Sequence, residues 1–107
     1  MSQFFDSFLV LAMAHFVCDF VLQNDRMAVE KVKGHDITLN WRYWLTAHAA
    51  AHGFAVALIT GLPSLGLLEW VSHFMIDYIK GKERISLFQD QGLHIACKAA
   101  WAVMLVQ

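Results

Sequence analysis

The sequence predicts an all-α protein: a four-transmembrane-helix, up-and-down bundle. Three observations predict it: an excess of apolar residues, four apolar stretches of about membrane-spanning length, and ionisable residues that recur inside those stretches at every fourth position. Hydrophobic residues make up 58% of the 107-residue chain and charged residues only 16%, against roughly 45–50% and 25% in ordinary soluble domains. The length fits one domain, residues 1–107, and leaves no room for a second core. A net charge of −1 gives no basic surplus for nucleic acid, so that class of partner is excluded. Cys18 and Cys97 both lie in apolar stretches and define no disulfide framework.

The first stretch runs from Phe4 to Gln23, and about 20 helical residues cross a hydrocarbon core of roughly 30 Å. No Lys or Arg precedes it, and its small-residue triplet Ala12-Met13-Ala14 continues into more apolar helix. It therefore reads as a retained span and not as a cleaved signal. Asn24 to Arg42 is a polar connection of mixed charge, with breaks expected at Gly34 and Asp36. The second span covers Tyr43 to Leu62. Pro63 is expected to end it, and Ser64 to cap the third, which reaches Lys80. Gly81-Lys82-Glu83-Arg84 is a short polar turn, and the fourth span runs from Phe88 to Gln107.

Arg26, Lys31, Lys33 and Arg42 lie in or beside the first connection, and Lys80, Lys82 and Arg84 in or beside the third. The second connection and the two termini carry none. The positive-inside rule then places both basic connections in the cytoplasm and both termini outside. Trp41, Tyr43, Trp44, Tyr78 and Phe88 read as an aromatic belt at that interface.

The polar residues of the four spans converge on the same side. In an antiparallel helix pair, residues at equal depth have position numbers with a constant sum. Asp77 then faces Asp90, His73 faces His94 and Glu69 faces Lys98; in the first hairpin Asp19 faces His48 and His15 faces His52. Steps of four keep one helix face, so two layers are expected a turn apart. One holds His15, His52, His73 and His94, the other Asp19, His48, Asp77 and Asp90, with Glu69 and Lys98 as a buried ion pair beyond the histidines. His15-Phe16-x2-Asp19 and His73-Phe74-x2-Asp77 also match, as two pseudo-repeated hairpins related by an axis along the membrane normal would. His35 stands alone in the first connection without a layer partner.

Imidazoles and carboxylates are costly in a dry bundle unless paired, hydrogen-bonded or bound to a cation. Neutral His with ionised Asp, projected inward from facing helices, suits a divalent metal: zinc first, then iron, manganese, cobalt or nickel. The donors are enough for one ion with supporting carboxylates, or for two ions per chain. A metal-free hydrogen-bond network that fixes helix register is the competing reading. Bis-histidine haem ranks last, because the neighbouring layer is rich in carboxylates.

These residues also carry a resemblance. His15-x3-Asp19-x3-Gln23, His48-x3-His52, His73-x3-Asp77 and Asp90-Gln91-x2-His94 together resemble a small bacterial and phage integral membrane family, the domain of unknown function family 3307. More distantly the pattern is similar to inner-membrane proteins described as metal-dependent hydrolases. The resemblance implies a multi-pass protein of the bacterial inner membrane. Three activities are open: metal-dependent hydrolysis of a lipid or lipid-linked substrate; an accessory or inhibitor role with a structural metal, acting on a membrane-protein partner through the Asn24–Arg42 connection; and proton or metal-ion transport by a homo-oligomer.

Overall fold

The computed structural model describes residues 3–106. Helix α1, Gln3–Phe16, runs directly into a π-helical segment, Val17–Leu22. A short α2, Asp25–Glu30, follows, and then three long helices: α3, Trp41–Thr60; α4, Pro63–Gly81; and α5, Leu87–Leu105. No strand occurs among the described residues. The four long helical rods correspond to the four predicted stretches. Gln107, the expected end of the fourth, lies outside the described residues.

Local chemistry sets the ends. Gly61, not Pro63, closes α3: its φ of 72° is the left-handed conformation open to glycine, and its N–H bonds Ala57 O at 2.9 Å. Pro63 instead opens α4, where a missing N–H costs nothing. Ser86 and Gln89 form a reciprocal capping box at the start of α5. Helix α2 falls inside what reads as an irregular connection; the Asn24 side chain caps it by accepting from the Met27 amide at 2.7 Å. Beyond α2 the chain breaks at Gly34, φ 94°, as expected, and Asp36 accepts from the Trp41 amide at the start of α3.

That connection wraps around Glu30. The carboxylate accepts the amides of Ile37 and Thr38, each at 2.6 Å, and the Thr38 hydroxyl at 3.0 Å. Burial alone would push the Glu30 carboxyl up. The Thr38 and Ile37 amides, the Thr38 hydroxyl and the Arg26 guanidinium outweigh it and hold the group below the ordinary carboxylate range.

Helices α3 and α4 touch backbone to backbone. A Cβ on Gly53 would sit 2.7 Å from Gly66 O, and one on Gly66 would sit 2.7 Å from both Gly53 O and Ala57 Cβ. Small residues at such a crossing let two helices approach closely. Trp41 departs from the expected outward belt: it is buried, stacked on Tyr78 at 5.3 Å, whereas Tyr43 and Phe88 do face outward.

The distribution of polarity is inverted relative to a protein folded in water. Among the described residues ten polar or charged side chains are buried against nine apolar ones, while 27 large apolar side chains are exposed. Gln3–Leu22 is long and apolar enough to cross a membrane, and it is the one described helix that meets both conditions. The expected four spans thus reduce to one on length and composition. Helices α3, α4 and α5 have the length, but His48, His52, Glu69, Asp77, Asp90 and Lys98 depress their hydropathy or raise their charge. An apolar cluster of Leu11, Val56, Leu65, Trp101 and Ala102, flanked by Phe4, Phe8, Ile59 and Cys97, fills one half of the bundle. The polar residues fill the other.

Candidate metal centre

Steps of four along one helix face deliver His48 and His52 from α3, Glu69, His73 and Asp77 from α4, and Asp90, His94 and Lys98 from α5. From the first rod, His15 closes α1 and Asp19 sits in the π-helical segment. A π turn carries an extra residue and re-aims the side chains beyond it. Asp19 thereby comes within 2.9 Å of His52 Nε2 and 3.1 Å of His48 Nε2.

The two expected layers meet at the bundle axis. In the histidine layer the ring centroids of His52 and His73 are 3.7 Å apart, those of His73 and His94 4.0 Å, and His15 lies 5.2 Å from both His52 and His94. In the carboxylate layer Asp77 Oδ2 is 3.3 Å from both His48 Nε2 and His73 Nε2, and Asp77 Oδ1 is 2.9 Å from His94 Nε2. Asp90 Oδ1 is 3.4 Å from His94 Nε2. The Glu69–Lys98 pair also forms, with Lys98 Nζ 2.9 Å from each carboxylate oxygen.

Three groups offer ligand atoms within 4.8 Å of one another: Asp19, His48, His52 and His73; Asp77, Asp90 and His94; and Glu69, His73 and His94. The first two contain seven of the eight residues named from the sequence. The eighth, His15, is in the layer but outside all three groups; its Nε2 turns to Gln91 Oε1 at 2.9 Å. Gln91 proves to be a central bridge, since its amide also donates to Asp19 Oδ2 and Asp90 Oδ2, each at 3.1 Å. In the third group Glu69 is already saturated by Lys98, the Trp101 indole N–H and His73 Nδ1.

That saturation decides the state of His73. An ionised carboxylate only accepts, so the 2.8 Å contact from His73 Nδ1 to Glu69 Oε2 places a proton on Nδ1. In the neutral ring Nε2 then carries a lone pair, yet it faces Asp77 Oδ2 at 3.3 Å and Asp19 Oδ1 at 3.8 Å without a hydrogen-bond partner. Lone pair against carboxylate is repulsive unless positive charge lies between them. His48 Nε2 and Asp90 Oδ1 are likewise buried without hydrogen-bond partners. Charge counting agrees. Asp19, Glu69, Asp77 and Asp90 meet the ammoniums of Lys98 and, at 3.3 Å from Asp77, Lys31. Four carboxylates against two ammoniums leave a deficit of two, which one divalent cation or two protonated histidines of the cluster would supply. The 3.3 Å separations of Asp77 Oδ2 from His48 Nε2 and His73 Nε2 match the roughly 3.3 Å expected between ligands of a tetrahedral zinc with bonds near 2.0–2.1 Å, whereas His52 Nε2–Asp19 Oδ1 and His94 Nε2–Asp77 Oδ1, each 2.9 Å, are hydrogen bonds.

A cavity of about 210 Å³ reaches this layer from the side of the first connection, with Asp19, Asp77 and Asp90 in its lining.

Fold and site together define a helical bundle with a buried His/Asp/Glu cluster able to hold a metal ion. The chain belongs to the family described as protein of unknown function (DUF3307), whose model matches residues 7–107. No curated protein and no solved structure matches it.

Proposed function

We propose that the chain is a multi-pass membrane protein that binds one or two divalent metal ions, zinc foremost, between Asp19, His48, His52, His73, Asp77, Asp90 and His94, and that it hydrolyses a lipid or lipid-linked substrate at that centre. The observation that carries the metal is His73: with its Nδ1 proton committed to Glu69, its buried Nε2 faces two carboxylates without a hydrogen-bond partner. Support for the bilayer comes from the inverted polarity, because 27 exposed large apolar side chains around a polar axis suit lipid as the outer solvent. The basic connections lie together at one end, where Val32 approaches Gly81 and Lys31 approaches Asp77. On the positive-inside rule this end is cytoplasmic, in a bacterial inner membrane, with both termini outside.

When bound, a divalent cation supplies transition-state charge and acidifies water at neutral pH. The chain's own groups do the rest. Glu69 fixes the His73 tautomer, Gln91 orients Asp19 and Asp90, and Asp90 Oδ1 is free to accept a proton. The cavity at the carboxylates favours catalysis over a purely structural metal, since a structural site is closed. The packed cluster of Leu11, Val56, Leu65, Trp101 and Ala102 fills the second half of the bundle with apolar side chains, which weighs against a route for protons or metal ions within a single chain.

The test is turnover of zinc-loaded protein on phospholipid and isoprenoid-phosphate panels. Hydrolysis that ceases with chelator and in Asp77→Ala is the expected result. Retained metal with no turnover on any panel would replace the enzyme with an accessory protein built on a structural metal and acting on a membrane-protein partner.

A further inference from the structure

The metal centre makes no use of Lys80, and it holds Lys31 by one partly buried contact, Nζ to Asp77 Oδ2 at 3.3 Å. Both lysines line the cavity that reaches Asp19, Asp77 and Asp90. The amides of Gln23 and Gln91 are also in its lining, and two of its polar atoms, Asp90 Oδ1 and Gln23 Oε1, are buried without a hydrogen-bond partner. Asp90 is only 5% exposed, so its orphaned oxygen belongs to a built site and not to an open surface. At the cavity's edge Phe20 and Leu87, 62% and 61% exposed, connect it to the apolar exterior.

We propose that this cavity receives the phosphate group of the substrate, with Lys31 and Lys80 as its counter-charges. The proposal rests on the metal reading, and the charges say why. Without a cation, three carboxylates outnumber two ammoniums and repel an anion. One divalent ion reverses the sign to a net +1 and leaves one ammonium charge in excess for an anion. Ammonium groups bind phosphate as point charges from any direction, and the Gln23 amide, which gives one N–H to Asp19 O, has a second to add as a neutral donor. A volume of about 210 Å³ admits a phosphate and its first few attached carbons but no acyl chain. Any longer tail leaves between Phe20 and Leu87 into the apolar surroundings.

The experiment is calorimetric titration of the full chain in detergent micelles, zinc-loaded or chelated, with inorganic phosphate and with dihexanoyl phosphatidic acid. Phosphate binding is expected with zinc and not without it. In Lys80→Ala the affinity falls about tenfold or more, the order of one lost charge-assisted hydrogen bond, while zinc content is unchanged; Lys31→Ala/Lys80→Ala lowers it further, and Lys31→Arg/Lys80→Arg restores it. Tighter binding of phosphatidic acid than of phosphate identifies a lipid headgroup as the source, and equal affinity identifies free phosphate. Zinc-loaded protein that binds neither ligand, or binds both equally well after the alanine substitutions, overturns this proposal and leaves the metal centre standing. Failure to bind zinc at all overturns the metal centre first, and the two failures are told apart by the zinc content of the same samples.

Discussion

Around Leu11, Val56, Leu65, Trp101 and Ala102 the four long helices pack through apolar side chains, whereas further along the same helices they meet through His15, His52, His73, His94 and three aspartates. The two halves share backbone geometry and differ in what holds them. In the apolar half each contact is small and replaceable. In the polar half each buried group depends on a named partner, and removing one partner strands another. Specificity of register therefore resides in the polar half, and tolerance in the apolar one.

The largest expected effect comes from breaking the boundary between them. Glu69→Ala leaves the Lys98 ammonium, 1% exposed, without a counter-ion and frees His73 Nδ1. Thermal unfolding in micelles should report a loss of about 3–5 kcal/mol, whereas Glu69→Met/Lys98→Met should recover only the part due to the stranded ammonium, because His73 Nδ1 and Trp101 Nε1 stay without their acceptor. A cavity in the apolar half, Leu11→Ala, is expected to cost about 3 kcal/mol with metal content unaltered. Equal metal loss in that variant would mean the halves are not separable.

Zinc sharpens the comparison from the other side. At a hundredfold excess over Kd it should stabilise the wild type by about 2.7 kcal/mol and His73→Ala by far less, read as the shift in melting temperature. Gly53→Ala tests the helix crossing. Its Cβ would lie 2.7 Å from Gly66 O, and an overpacked contact of that kind costs about 1–3 kcal/mol.

The smallest effect is confined to the connection. The folded Glu30 carboxyl titrates below its unfolded value, so its contribution is present above the ordinary glutamate range and disappears as pH falls through the lowered folded value. Protection of the Ile37 and Thr38 amides from hydrogen exchange, relative to the intrinsic rate at each pH, should be high near neutrality, be lost as pH falls through the lowered folded value, and be absent throughout in Glu30→Ala.

How much of this was legible in the sequence depends on whether a feature is periodic. The spacing of four in His48/His52, Glu69/His73/Asp77 and Asp90/His94/Lys98 placed the layers and the Glu69–Lys98 pair, because a straight helix converts spacing into direction. Features that depend on departures from the straight helix were not legible. The π turn at Val17–Leu22 has no composition of its own, and it helps to decide which groups Asp19 meets. Gln91 stands in the sequence only as part of the Asp90-Gln91-x2-His94 pattern, yet it ties together His15, Asp19 and Asp90 and so draws His15 away from the ligand groups. The Glu30 clamp joins residues seven and eight positions apart through a loop, where no periodicity operates. The Gly53–Gly66 contact depends on helix crossing geometry, although two glycines within apolar helix were a usable signal.

A cation between His73 and the two carboxylates it faces is tested most directly by elemental analysis of the purified full chain. One or two divalent ions per chain are predicted, falling sharply in both His73→Ala and Asp77→Ala. A chain that carries no ion after exposure to zinc, or variants that retain the wild-type content, would contradict it.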